Sequence, residues 1–252
     1  MENLLLPSKI EYVQGEKPNT GTLVIEPCYY GYGTTLGNAL RRVLLSSLPG
    51  AAITAVKITG AEHEFSTIPH VKEDVVELIL NFKLLRLKVF SNEPVTLKIH
   101  VTGEQNVTGA DIEPNAEVEI ISKDLHLATL TDKKAEFEVE LTVMQGRGYV
   151  STEAREKEKL NIGTISIDSI FTPIVNVGFS VENTRVGHIT NYDKLVLSIE
   201  TDGTISPEEA FSKSVDILLD HFNLLKNYTK VTELVPSSSA KVSSKDDGAH
   251  EA

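Results

Sequence analysis

Two periods run through the chain. In AEFEVELTV (135–143), Ala135, Phe137, Val139, Leu141 and Val143 fall on one side, and Glu136, Glu138, Glu140 and Thr142 on the other. That is the spacing of a strand with one face on a core and the other in water. VNVGFSVE (175–182), KLVLSIE (194–200) and VTLKIHV (95–101) alternate likewise, and GTLVIEP (21–27) is a further apolar strand candidate. A helical period replaces this over roughly 34–48, 72–81 and 207–226. The last of these opens on a strong start signal: Ser206 caps, Pro207 fits the first position, and Glu209 completes a capping box. Strands through the middle with helices towards both ends predict an α+β fold.

Two of the helices carry more apolar surface, or a stranger polar face, than packing needs. On 34–48, Leu36, Ala39, Leu40, Val43, Leu44 and Leu48 cover one half of the cylinder, enough to pack on a sheet. Gly31 and Gly33 are expected to turn the chain into this helix, with Thr34 or Thr35 as cap. The opposite half presents Asn38, Arg41, Arg42 and Leu45 at spacing i, i+3, i+4, i+7. Arginine forks around an apolar anchor suit a protein interface; an ordinary solvated face with one stray leucine is the other reading. On 207–226, Ala210, Phe211, Val215, Ile217, Leu218, Leu219, Phe222, Leu224 and Leu225 spread over about 220° of the circumference. Either that helix is sunk in a core, or it packs on its own fold and on a second subunit.

Composition narrows the function classes. The 252 residues carry a formal charge of −12, which disfavours a duplex-binding module, whose affinity comes largely from neutralising phosphates. The single cysteine, Cys28, excludes an internal disulfide and a cysteine-rich zinc site. MENLLLPSKIEYV is not a signal peptide, and no apolar run approaches the ~20 residues that span a bilayer. Cytoplasm is therefore the expected compartment, and NVT (106–108) and NYT (227–229) are chance matches to the glycosylation pattern. PSSSAKVSSKDDGAHEA (236–252) reads as a disordered tail or linker.

Candidate chemistry is thin. Gly31, Gly33 and Gly37 give G-x-G-x-x-x-G, one residue longer than the dinucleotide fingerprint, and no G-K-[S/T] follows for a phosphate loop. Glu136, Glu138 and Glu140 lie about 6.6 Å apart along a strand, too far to share one magnesium at ~2.1 Å from each oxygen. His63 and His70 lack metal-ligand spacing. Glu73 and Glu77 form an ordinary surface pair four apart on a helix, and no serine sits in a nucleophile elbow. No active site, metal or cofactor is expected in this chain.

GTTLGNALRRVLLSSLPG (33–50), EHEFSTIPHVKEDVVELILNFKLL (62–85), VTGADI (107–112), GRGYV (146–150) and TDGTISPEEAF (201–211), taken in order, resemble the N-terminal portion of the α subunit of bacterial or plastid DNA-directed RNA polymerase. The resemblance runs across residues 1–233. It implies a discontinuous two-part α+β architecture. Segments 1–49 and 173–233 would form a dimerisation subdomain, a sheet plus two helices. A mainly β α+β subdomain, 50–172, would be inserted between them, and 234–252 would be a disordered tail or linker stub.

The same resemblance implies partners and contact residues. Helices 34–48 and 207–226 would pack on their copies in a second α chain, through Leu36, Leu40, Val43 and Leu44 and through Phe211, Val215, Leu218, Leu219, Phe222 and Leu225. Asn38, Arg41, Arg42 and Leu45 would meet the β subunit, Arg42 being the second arginine of LRR. Glu62, His63, Glu64, Phe65, Ser66 and Thr67 belong to that contact. Lys83 and Ile167 fall where the family meets the large subunits, β′ chiefly, although NFKLLRLKV departs from the common run after the lysine. The polymerising site and its magnesium would lie in β and β′, so this chain serves a nucleotidyltransferase complex without a catalytic residue or cofactor of its own. Family members continue to a small C-terminal domain that binds promoter DNA; this sequence stops in the linker-like tail, either truncated or lacking that domain. No membrane contact or direct nucleic-acid binding is expected. Two other readings stay open here: an enzyme using a nucleotide at the 31–37 turn, and the scaffold of an archaeal or eukaryotic-type polymerase.

Overall fold

The computed structural model describes residues 4–61, 63–155 and 163–227. In chain order these form β1 (Lys9–Gln14), β2 (Thr20–Cys28), α1 (Tyr32–Ser46), β3 (Pro49–Ile58), α2 (Val75–Leu84) and β4 (Leu87–Val89). There follow β5 (Val95–Thr102), β6 (Asn106–Thr108), β7 (Val118–Ile120), β8 (His126–Thr129) and β9 (Glu136–Arg147). The remainder is β10 (Tyr149–Val150), β11 (Thr164–Ser166), β12 (Ser169–Ile170), β13 (Ile174–Val186), β14 (Ile189–Thr201) and α3 (Pro207–Lys226). Packing separates a compact unit, Met1–Ile217, from one that begins at Leu218, within α3.

Two four-stranded antiparallel sheets dominate, in the orders β1-β2-β14-β13 and β11-β3-β9-β5. The α+β class follows from strands that pair antiparallel and helices that lie on sheet faces without parallel crossovers. In the first sheet, the register sets Leu195 opposite Ile25 and Leu197 opposite Leu23, with Val177 opposite Ile199. All six side chains are buried on one face, and α1 lies against β13 and β14. It comes close because Gly33 and Gly37 face the sheet. A Cβ on Gly37 would stand 2.6 Å from the Phe179 ring, and one on Gly33 would stand 2.9 Å from Asp193 and Val181.

This corrects the expected turn. Gly31 alone takes the left-handed conformation, φ 82°, and serves as N-cap without a side-chain cap. Gly33 is already helical, and Thr35 donates back to the Gly31 carbonyl at 3.1 Å instead of capping. The capping acceptor comes from far away: the Gly33 N–H donates to Asp193 Oδ2 at 3.0 Å, across 160 residues. Val175 also departs from its alternation. A bulge between Ile174 and Asn176 turns Val175 out of the face that Val177 keeps.

The second sheet follows its pattern closely. Every inward position of 135–143 is buried, and two of the outward glutamates meet solvent-side partners. Glu138 accepts from the Thr59 hydroxyl at 3.0 Å, and Glu140 lies 3.7 Å from Lys57 and 3.6 Å from Lys98. Val75, Leu78 and Phe82 of α2 join this core. That helix starts at Val75, later than expected, because the Asp74 carboxylate accepts the Glu77 N–H at 2.7 Å and ends the extended chain there. Glu73 is then no surface partner of Glu77: it is 6 % exposed and turned inward.

Candidate protein-binding surfaces

The outward half of α1 is the first surface. Gly33, Gly37, Leu40 and Leu44 are buried, so Asn38, Arg41, Arg42 and Leu45, on the other side of the cylinder, all face solvent. Neither guanidinium has a hydrogen-bond or ion-pair partner among the described residues, and Leu45 between them is 37 % exposed. Two residues expected to take part in dimerisation differ from the others. Leu40 and Leu44 are 5 % and 0 % exposed, so their side chains are consumed by the chain's own core; Leu36 and Val43, half-buried, remain on offer.

The loop after β3 is the second surface. His63, Glu64 and Thr67 are exposed, Ser66 is half-buried, and Phe65 is 79 % exposed. Glu62 lies outside the described residues. The loop is pinned by Ile68, which is buried, and by the Ser66 hydroxyl donating to the His63 carbonyl.

Lys83 lies in the last turn of α2, half-buried. The structure brings it beside Asp168, whose carboxylate accepts the Thr152 N–H at 2.8 Å. That hydrogen bond first, and the Lys83 charge after it, hold the Asp168 carboxyl below the ordinary aspartate range. Ile167, expected at the same contact, is 2 % exposed, and its side chain is part of the core.

On α3, Ser206 caps as expected, accepting the Glu209 N–H at 3.2 Å. The Glu209 carboxylate pairs with Lys213 at 2.8 Å. Pro207, Ala210 and Ser214 are buried, and Phe211, Val215 and Leu218 are half-buried. Beyond them Leu219, Phe222 and Leu225 are 51 %, 58 % and 65 % exposed. The deep-core alternative therefore fails for the last two turns.

Sequence reading missed Asp193 and Glu73, both buried carboxylates with partners more than fifty residues away. Only for α2 did a local signal exist: Asp74 and Glu77 stand in capping-box spacing. Asp193 also decides the nucleotide reading. Its carboxylate already occupies the place at the N-terminus of α1 where a phosphate would sit. Among the described residues no group of three or more His, Cys, Asp or Glu is placed to hold a metal ion, and no helix is long and apolar enough to cross a membrane.

Comparison with known proteins shows the family. The family model of the RNA polymerase Rpb3/RpoA insert domain matches residues 56–172. The DNA-directed RNA polymerase subunit alpha of Alkaliphilus oremlandii (strain OhILAs) is 52 % identical over 222 residues, covering 88 % of this chain and 70 % of that relative. At that identity and coverage, the chain belongs to the family of DNA-directed RNA polymerase α subunits, a component of a multi-subunit transcription enzyme.

Proposed function

We propose that the chain is the non-catalytic, dimerising scaffold of a bacterial-type RNA polymerase. Residues 1–49 and 173–233 form the dimerising part and 50–172 the inserted part; the expected tail or linker stub, 234–252, lies outside the described residues. A second copy covers Leu219, Phe222 and Leu225. The β subunit takes the Asn38, Arg41, Arg42 and Leu45 face together with the 63–67 loop, and β′ meets the surface around Lys83. The observation that carries this reading is the two-sidedness of α1: one half is buried by its own sheet, while the other holds a leucine and two exposed arginines that have no partner among the described residues. A charge of −12 suits a subunit that binds proteins and leaves DNA to others. Among the described residues no group of three or more His, Cys, Asp or Glu is placed to hold a metal ion; magnesium chemistry is assigned to β′, and the complex works in the cytoplasm.

Arg42→Ala tests this. The variant should sediment as a dimer and lose capture of purified β subunit by roughly 2 kcal/mol. Wild-type capture at limiting concentration would falsify the assignment of that face.

A further inference from the structure

Glu73 belongs to none of the surfaces above, yet its carboxylate is buried and fully engaged. Oε2 accepts the Thr129 backbone N–H at 2.7 Å; Oε1 accepts the Thr129 hydroxyl at 2.8 Å and lies 3.1 Å from His126 Nε2. Burial pushes this carboxyl up, but the Thr129 and His126 bonds outweigh it and hold the group below the ordinary glutamate range. The trio is not a nucleophile with its base. His126 Nε2 faces the carboxylate and, at 3.4 Å, the Thr129 hydroxyl, so acid and hydroxyl share one nitrogen and no relay runs through the ring.

The carboxylate closes a short ladder. The Lys72 N–H donates to the Thr129 carbonyl at 3.0 Å, the Thr131 N–H donates to the His70 carbonyl at 2.9 Å, and Val71 bridges Leu130. Just upstream the chain passes through buried Ile68 to Phe65, 79 % exposed. Phe65 thus stands on a loop with two fixings, an apolar plug on its near side and the Glu73 clamp beyond.

We propose that Glu73 is a positioning residue for the large-subunit contact: by tying the lead-in of α2 to β8, it holds the Phe65 loop in its binding shape before the partner arrives. This rests on the reading that the 63–67 loop meets β. An ordered loop loses less conformational freedom on association, and that difference appears as affinity.

The test is a double-mutant cycle on the full-chain dimer, with purified β subunit as probe and melting temperature read alongside. Glu73→Gln and Phe65→Ala should each weaken β capture about tenfold. The double variant should be no weaker than Phe65→Ala alone, because a loop without its anchor has nothing left to present. The fall in melting temperature from Glu73→Gln should persist in both backgrounds. Unchanged β affinity in a folded Glu73→Gln dimer, or a loss that adds to that of Phe65→Ala, overturns the proposal in favour of a purely structural clamp. If Glu73→Gln does not give a folded dimer, Thr129→Val, which keeps the backbone bond, goes through the same cycle. It should weaken capture about threefold, and wild-type affinity there overturns the proposal. Full capture by Phe65→Ala with Arg42→Ala still defective removes the loop and this proposal together; full capture by both removes the surface assignment itself.

Discussion

On β9, Phe137, Val139, Leu141 and Val143 are all 1 % exposed or less, whereas on the last two turns of α3 Leu219, Phe222 and Leu225 are each more than half exposed. Both stretches carry regular apolar stripes. The difference is that the strand finds β3, β5 and α2 within the chain, while the end of the helix keeps its apolar side chains exposed. An apolar face with no internal cover marks an association surface, so regularity of pattern shows that a face will be buried without showing by whom.

Three substitutions probe that contrast. Phe137→Ala removes a ring from the closed core and should cost about 3–5 kcal/mol of folding stability, measured by denaturant unfolding. A loss below about 1 kcal/mol would mean the core is looser than its burial implies. Phe222→Glu should leave the unfolding midpoint of the dilute protein unchanged but raise the dimer dissociation constant roughly a hundredfold, as read by sedimentation. A matching loss of stability in the monomer would place this ring in the chain's own core. Gly37→Ala lies between the two cases. Alanine is the better helix former by nearly 1 kcal/mol, yet its methyl would meet the Phe179 ring. We expect a net loss of about 1–3 kcal/mol; a gain would show that the helix can lift from the sheet at no cost.

The legible parts of the fold were those whose physics is local. Alternation along 135–143 and 95–101 predicts faces correctly because one side of each strand is dry. The Ser206–Pro207 start predicts α3 because a cap acts within one turn. What the sequence concealed depends on distant groups. Nothing near Gly33 announces that Asp193 will cap α1, or that two glycines will serve a helix–sheet contact and not a turn. Nothing near Glu73 points to Thr129. Of the residues expected at contacts, Arg41, Arg42, Leu45 and Phe65 are exposed, since an outward helix face is visible in a period. Leu40, Leu44 and Ile167 proved buried, since a resemblance reports which segments meet a partner and not which side chains do.

The hydrogen bonds that join Asn19 to Thr201 and Gly33 to Asp193 have a temporal side. During synthesis β2 emerges early, and its inner neighbour β14 only some 160 residues later, whereas β3, β9 and β5 leave the ribosome within one uninterrupted stretch. The sheet of β3, β9 and β5 can close while translation continues; the other waits until β14 has been made, with β1 the only strand paired to β2 until then. A chain halted before β14 therefore has neither the sheet on which α1 lies nor the carboxylate that caps it, and whatever that helix presents is deferred until β14 has emerged.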